Sequence, residues 1–191
     1  MTTNKQIVET AKSFIGKVKY DFGATDVENG RSDCSGFTQY VYKKHGIDIG
    51  RTTGTQWTGE GRKIKNISNL AKGDLIYFFG TYTSGYVDGV SHTGIYLGND
   101  EFIHCCEDGV IISSLKEDYY YKNRFLGGLR KEEVIYTTAL DDFENKTEES
   151  DNLNLFGDIL KTVIVYGLII IGVVMLGLSL GVHKKLLNIG G

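Results

Sequence analysis

The chain has 191 residues, of which 41% are hydrophobic and 24% are charged, and this is enough apolar material for one folded domain with an appendage. A net charge of −3 and the lack of any Lys/Arg tract argue against a nucleic-acid partner. Three cysteines, two of them adjacent, do not make a disulfide framework.

Two amphipathic helices are predicted near the N-terminus, over Asn4–Ile15 and Ser35–His45. The first is not preceded by the apolar stretch of a signal peptide. In the second helix, Asp33 or Ser35 can cap the start and Gly46 marks the end.

Cys34 stands at the start of the second predicted helix. Unpaired backbone N–H groups and the helix dipole favour a thiolate at such a position. A single cysteine is more often a small buried hydrophobic residue, so its assignment as a nucleophile depends on finding partners for it.

The segments after residue 70 predict strands, because they are short, rich in Ile, Tyr, Phe and Val, and separated by Gly, Asn and Asp. Helices followed by strands indicate an α+β fold, in which a meander of hairpins packs against the Cys34 helix. The predicted strands are Asp74–Phe79, Ser91–Leu97, Glu101–Cys106, Val110–Ser114 and Phe125–Arg130.

Two neighbouring predicted strands each carry a histidine, His92 and His104, and the turn between the strands decides whether the two side chains meet. A two-residue turn at Gly98-Asn99 pairs His92 with Cys105 and turns His104 to the opposite face. A three-residue turn that adds Asp100 pairs His104 with Gly94 and leaves His92 as a diagonal neighbour on the same face. Both turns are chemically acceptable.

A nucleophilic cysteine needs a base and a third group that orients the base, and Cys34, His92 and His104 supply such a set. Each histidine alone would be interpreted as a buried imidazole with satisfied hydrogen bonds. Zinc is disfavoured, because close-spaced ligand pairs are missing and the adjacent Cys105 and Cys106 point to opposite faces of a strand. We expect no metal and no cofactor.

Several motifs, taken in order, resemble the NlpC family of papain-like cell-wall cysteine endopeptidases over about residues 5–131. They are YDFGAT, DCSGFTQYVYKKHGI, LAKGDLIYF, SHTGIYLGN and FIHCC. The resemblance implies a papain-like core with N-terminal helices packed on an antiparallel sheet. It also implies Cys34 as the nucleophile, His92 as the general base and His104 as the residue that orients His92. We expect Cys34 and His92 to form a thiolate–imidazolium pair.

Further roles follow from the same resemblance. Tyr20 is expected near the oxyanion site, and Asp33 and Ser35 are expected to bind the substrate. The implied substrate is a bacterial peptidoglycan stem peptide, cut between D-glutamate and a diamino acid. The chain departs from the family pattern at Phe22 and Ala24, and again at Cys105, where a small residue is common.

The C-terminal part differs from the domain predicted at residues 1–136. Residues 137–158 are acidic and predict a flexible linker, and residues 159–191 predict a hydrophobic helix with a basic tail. Residues 162–182 carry no charge and are long enough to cross a lipid bilayer as a helix. Gly177 and Gly181 have the spacing of a contact between two such helices, so a homo-oligomer is one candidate assembly.

The predicted whole is a peptidoglycan hydrolase that is tethered to or delivered at a membrane and acts on the wall outside the cytoplasm. A bacteriophage tail or virion lysin, with other tail subunits as partners, would account for a wall-cutting domain joined to a hydrophobic segment. The alternative is a membrane-active structural component of a phage particle, in which the peptidase-like domain is a binding or assembly module.

Overall fold

The computed structural model describes residues 1–81 and 89–137, and residues 1–137 form one compact unit. The helices are α1 (Asn4–Lys12), α2 (Cys34–Lys44), α3 (Thr53–Thr58) and α4 (Tyr119–Lys122). The strands are β1 (Thr2–Thr3), β2 (Lys19–Tyr20), β3 (Thr25–Asp26), β4 (Arg31–Ser32), β5 (Arg62–Ile64), β6 (Leu75–Phe79), β7 (Val90–Gly98), β8 (Glu101–Cys106), β9 (Gly109–Ser114), β10 (Phe125–Arg130) and β11 (Val134–Ile135).

The main sheet has six antiparallel strands in the order β5-β10-β6-β7-β8-β9. Four of them, from β6 to β9, form the predicted meander. Two smaller sheets flank it, β1 with β11 and β2-β4-β3. The mixed α+β architecture, with N-terminal helices packed on an antiparallel sheet, is confirmed.

Side-chain caps at their N-termini define where the first two helices begin. The hydroxyl of Thr3 accepts from the backbone N–H of Gln6, and the Gln6 side chain accepts in return from the backbone of Thr3. Asp33 caps α2 by accepting from the backbone N–H of Gly36 at 2.6 Å. Of the two candidate caps for α2, Asp33 therefore serves and Cys34 becomes the first helical residue.

The two faces of the main sheet bury different clusters. The larger cluster joins α1 and α2 to the sheet through residues such as Ile7, Val41 and Ile95. The smaller cluster is largely aromatic and contains Phe78, Phe102 and part of Tyr121 from α4. Burial of these apolar surfaces is the main source of the domain's stability.

The five predicted strands all occur, with ends that differ from the prediction by one residue at most. Helix α1 ends at Lys12 rather than at Ile15. The prediction omitted α3, α4 and the short strands β1 to β5 and β11, which are too brief to show a hydrophobic period.

The turn between β7 and β8 combines features of both predicted alternatives. Asn99 and Asp100 form its tip with φ values of 53° and 61°, and Gly98 pairs with Glu101. A bulge between Tyr96 and Gly98 then shifts the register by one residue. The resulting pairs, Tyr96 with Phe102 and Ile95 with Ile103, place Gly94 opposite His104, as the three-residue alternative predicted. The two-residue turn at Gly98-Asn99 was wrong.

The acidic linker and the apolar segment predicted at residues 162–182 lie outside the described residues, except for Thr137. Within the described part of the chain, no helix is both long and apolar enough to cross a membrane.

Candidate active site

Cys34 is the first residue of α2 and is 3% exposed. Helix α2 packs on the face of the sheet that holds the larger cluster and contacts β7. Cys34 and Ser91, the residue before His92, line a common cavity. The fold therefore brings the cysteine to the end of the strand that carries His92.

A network around Asp33 holds the loop that precedes the cysteine. Both carboxylate oxygens of Asp33 accept from the guanidinium of Arg51, at 3.0 Å and 2.7 Å. Oδ2 also accepts from the backbone N–H of Gly23 at 3.1 Å, and Oδ1 accepts from the hydroxyl of Ser35 at 3.2 Å. Such paired, charge-assisted hydrogen bonds are strong and directional. They tie the segment around Gly23 and the start of α2 to one carboxylate.

Arg51 is a residue that the sequence interpretation missed. Besides Asp33, its guanidinium donates to the hydroxyl of Ser35 at 3.0 Å and to the carbonyl of Ala24 at 3.3 Å. Its side chain remains 34% exposed, whereas that of Asp33 is 9% exposed. Arg51 therefore presents part of its positive charge at the cavity wall beside Cys34.

Gln56 fixes the loop that carries Arg51. Its side-chain amide donates to the carbonyls of Ser35 and Gly50, at 2.9 Å and 3.1 Å. Its side-chain carbonyl accepts from the hydroxyl of Thr38 at 3.0 Å. Because Gln56 is fully buried, these bonds rigidly connect α3 to the first turns of α2.

The two histidines lie on the same face of β7 and β8 and contact each other. Nε2 of His92 is 2.8 Å from Nδ1 of His104. Nε2 of His104 is in turn 2.9 Å from the hydroxyl oxygen of Ser113 on β9. His92 and His104 therefore share a face, as the three-residue alternative predicted, whereas their catalytic roles stay predictions.

Aromatic rings surround the histidine pair. Tyr121 from α4 stacks on His92 with a centroid distance of 5.8 Å and meets His104 edge-on at 5.0 Å. The ring centroid of Phe102 lies 4.7 Å from that of His104, and the ring centroid of Phe78 lies 5.9 Å from that of His92. These contacts bury most of both imidazole rings.

Burial changes the acid–base behaviour of both rings. It lowers the pKa of His92 to about 4, and it lowers the pKa of His104 well below its usual value, with a further contribution from His92. The neutral imidazole is therefore favoured in this environment. A resting imidazolium, as in the expected thiolate–imidazolium pair, is disfavoured by the same desolvation.

Gly94 provides the space that His104 needs. A Cβ atom at Gly94 would lie 2.8 Å from the carbonyl oxygen of Ile103 and 3.2 Å from Cβ of His104. Any larger residue at this position would press on β8 at His104. The glycine in the SHTGIYLG strand thus serves the histidine pair directly.

The other two cysteines are poorly suited to be nucleophiles. Burial, with a smaller contribution from the neighbouring Cys34, raises the pKa of the Cys105 thiol to about 12. Cys105 instead donates to the carbonyl of Ser32 at 3.3 Å and so links β8 to β4. Burial also raises the pKa of Cys106.

Two cavities of similar size divide the predicted site residues between them, and Cys34 and His92 line different ones. One has a volume of about 310 Å³ and the other about 320 Å³. The first, the cysteine-side cavity, is lined by Phe22, Gly23, Asp33, Cys34, Ser35, Arg51, Thr52, Thr53 and Ser91. The second, the histidine-side cavity, is lined by Tyr20, Thr81, His92, Cys106, Glu107, Asp108, Tyr120 and Tyr121. Of the predicted set, only His104 lines neither of these two cavities. Within residues 1–81 and 89–137, no group of three or more His, Cys, Asp or Glu side chains could hold a metal ion.

A helix that begins at a buried cysteine, packed on an antiparallel sheet that carries a hydrogen-bonded histidine pair, defines a papain-like cysteine peptidase domain. The more particular assignment comes from the sequence match: the model of the NlpC/P60 family matches residues 16–130, which is more than half of the chain. The chain belongs to this family.

Three relatives illustrate the match. The probable peptidoglycan endopeptidase LytE of Bacillus subtilis is 42% identical over 126 residues, which cover 65% of this chain and 34% of LytE. The gamma-DL-glutamyl hydrolase of the same organism is 38% identical over 128 residues, which cover 66% of this chain and 29% of the relative. A crystal structure of a lipoprotein-like NLP/P60 family protein from Staphylococcus aureus superimposes with a TM-score of 0.58 at 30% identity, over 66% of this chain and 40% of the other. The match thus spans between 18% and 34% of the length of these and the other curated relatives.

Proposed function

We propose that this protein is a cysteine endopeptidase that cleaves amide bonds in peptidoglycan stem peptides. The observation that carries the proposal is the buried histidine pair, in which Nε2 of His92 lies 2.8 Å from Nδ1 of His104. His92 is on β7, which begins beside the cavity that Cys34 lines, and His104 is on the neighbouring strand β8. Membership of the NlpC/P60 family supports it, as do the endopeptidase and hydrolase names of the relatives.

In the proposed mechanism, His92 acts as a base from its neutral form. Because Nε2 of His92 is engaged by His104, its Nδ1 is the nitrogen that takes the thiol proton of Cys34. Sγ then bonds to the carbonyl carbon, while the backbone N–H of Cys34 and the hydroxyl of Tyr20 donate to the developing oxyanion. His92 passes the proton to the leaving nitrogen as the C–N bond breaks and a thioester forms. Water, deprotonated by His92, attacks the thioester, and the carboxylic acid leaves as the thiol is restored.

The two cavities support a bond between D-glutamate and a diamino acid. The cysteine-side cavity receives the acyl part of the substrate, where the partly exposed Arg51 can bind the free α-carboxylate of a γ-linked glutamate. The histidine-side cavity receives the leaving amine. Its two carboxylates, Glu107 and Asp108, favour a residue with a second, cationic amino group. Asp33 and Ser35 then act chiefly by holding Arg51.

Synthetic peptides test this choice of bond. We expect L-Ala-γ-D-Glu-L-Lys to be cut at the glutamyl–lysine bond, as measured by mass spectrometry of the products. The α-linked isomer is the matched control and should remain uncut, because its carboxylate is displaced from Arg51. The ε-acetylated lysine peptide should react more slowly than its free-amine counterpart. Equal cleavage of the two isomers would contradict the proposed glutamate subsite.

We also propose that residues 162–182 hold the enzyme at a lipid membrane, on the support of their uncharged apolar sequence. The full chain should float with liposomes, and replacing Ile170 and Val174 with Asp should reduce the floating fraction, since a carboxylate inside a bilayer costs several kcal/mol. Lys116→Asp, a change on the exposed surface of the domain, is the control. Equal flotation of all three proteins would contradict the anchor.

Delivery from a bacteriophage particle is compatible with the same anchor. The alternative role, a binding or assembly module of such a particle, predicts that peptidoglycan binds to the domain without being cut. The peptide experiment therefore separates the enzyme from the module.

A further inference from the structure

The hydrogen-bonded chain at the histidine pair has a third member, Ser113. Ser113 lies on β9, paired with Phe102, and is thus a diagonal neighbour of His104 on the same face of the sheet. Its hydroxyl oxygen is 2.9 Å from Nε2 of His104, and Nδ1 of His104 is 2.8 Å from Nε2 of His92. The three side chains therefore form one continuous chain of hydrogen bonds.

A neutral imidazole carries one N–H, so the direction of one hydrogen bond in this chain dictates the others. If Ser113 accepts from Nε2 of His104, then Nδ1 of His104 must accept from Nε2 of His92. Nδ1 of His92 is then unprotonated and can take a proton. If Ser113 donates instead, every bond is reversed, and Nδ1 of His92 carries a hydrogen and cannot act as a base.

We propose that Ser113 is a positioning residue that accepts from His104 and thereby selects the tautomer in which Nδ1 of His92 is the basic nitrogen. The proposal rests on the proposed function for its consequence, the rate of peptide cleavage, but the tautomer itself can be measured without any reaction.

Two features of the structure favour this direction. Strand β9 is at the edge of the sheet and Ser113 is half-buried, so its own hydroxyl hydrogen can be directed to solvent while its oxygen accepts from His104. When His92 gains the thiol proton, its Nε2–H must still have an acceptor. The selected tautomer keeps Nδ1 of His104 in that role, whereas the reversed tautomer would set two N–H groups against each other.

Nitrogen-15 NMR of the full chain tests the tautomer directly. We expect Nδ1 of His92 to resonate as an unprotonated imidazole nitrogen and Nε2 as a protonated one. In Ser113→Ala the reversed tautomer should become populated, and in Ser113→Thr, which keeps the hydroxyl, it should not. A protonated Nδ1 in the wild-type protein would overturn the proposal, whatever the stability of the variants.

Steady-state kinetics of peptide cleavage provide the second test of the role of Ser113. We expect Ser113→Ala to lower kcat about tenfold with little change in KM, the loss that one misdirected hydrogen bond would cause. Ser113→Thr should restore the rate. The matched control is Ser114→Ala, because Ser114 bonds to the backbone of Lys116 and Glu117 instead of the histidines. Unchanged kcat in Ser113→Ala would overturn the proposal. Wild-type protein with the expected tautomer but no hydrolysis would instead overturn the proposed function.

Discussion

Different interactions hold the cysteine-side and histidine-side regions of the site in place. Around Cys34, Asp33 and Arg51 exchange charge-assisted hydrogen bonds at a cavity wall that stays partly open to solvent. Around the histidine pair, aromatic rings pack closely, and burial alone lowers the pKa of His92 to about 4. Charged hydrogen bonds hold the cysteine side in place, whereas desolvation sets the pKa of the base on the histidine side. Substitutions on the two sides should therefore affect different measured properties.

The largest effect is expected on the histidine side. His92→Ala removes the only proposed base, and we expect the rate of peptide cleavage to fall by about 10⁴-fold or more with the fold retained. The matched control is His45→Ala, because the ring of His45 bonds to the hydroxyl of Thr10 and lines neither of the two cavities. Assays of both purified variants on the same peptide check this. A similar loss in the two variants would remove the special role of His92.

His104→Ala should have a smaller effect, on the order of 10²-fold, because His104 acts through the orientation of His92 rather than on the substrate. His104→Asn keeps a polar group and should lose less. Steady-state kinetics should show the loss in kcat rather than in KM. A full loss in His104→Ala, equal to that of His92→Ala, would mean that His104 does more than orient the base.

On the cysteine side, Arg51→Gln should lower the free energy of unfolding by about 2 kcal/mol, because it removes the cationic partner that donates to both oxygens of the buried Asp33 carboxylate. Arg31→Gln is the control. Among the described residues, the Arg31 side chain makes long, exposed ion pairs, at 3.5 Å and 3.8 Å, and its replacement should change stability by less than about 0.5 kcal/mol. Urea unfolding at neutral pH measures both, and equal losses would contradict the structural role of Arg51.

The burial of His92 should also make the free energy of unfolding depend on pH. The native protein keeps His92 neutral down to about pH 4, whereas the unfolded chain protonates it below about pH 6.5. Stability is therefore fully present above pH 6.5 and is lost as the pH falls toward 4, by about 2 kcal/mol from this residue at pH 5. Urea unfolding of wild-type protein and His92→Gln at pH 7.5 and pH 5 should show the smaller pH dependence in the variant. Identical pH dependence would mean that His92 is not desolvated.

The two sides also differ in how well the sequence predicts them. The strands of the histidine side are predicted to within a residue because their apolar residues are enriched and bounded by Gly, Asn and Asp. The register of these strands is not predicted, because it depends on a bulge between Tyr96 and Gly98 that local turn chemistry does not reveal. Tyr121 was missed because α4 has only four residues and shows no helical period.

On the cysteine side, the short motif around Cys34 predicts both the helix and its cap. Arg51, the partner of Asp33, stands 18 residues further along the chain in a loop, where no hydrophobic period marks it. A long-range ion pair of this kind is a property of the folded arrangement, and a single sequence contains no signal for it. Gln56 was missed for the same reason.

The measurement that tests the central claim most directly compares the hydrolysis of purified peptidoglycan by Cys34→Ala with that by Cys105→Ala. Both variants remove a buried thiol, but only Cys34 is the proposed nucleophile, and Cys105 is bonded to the carbonyl of Ser32. The account predicts that Cys34→Ala releases no muropeptides while melting as a folded protein, and that Cys105→Ala keeps most of the activity. Near-normal turnover by purified Cys34→Ala would contradict it.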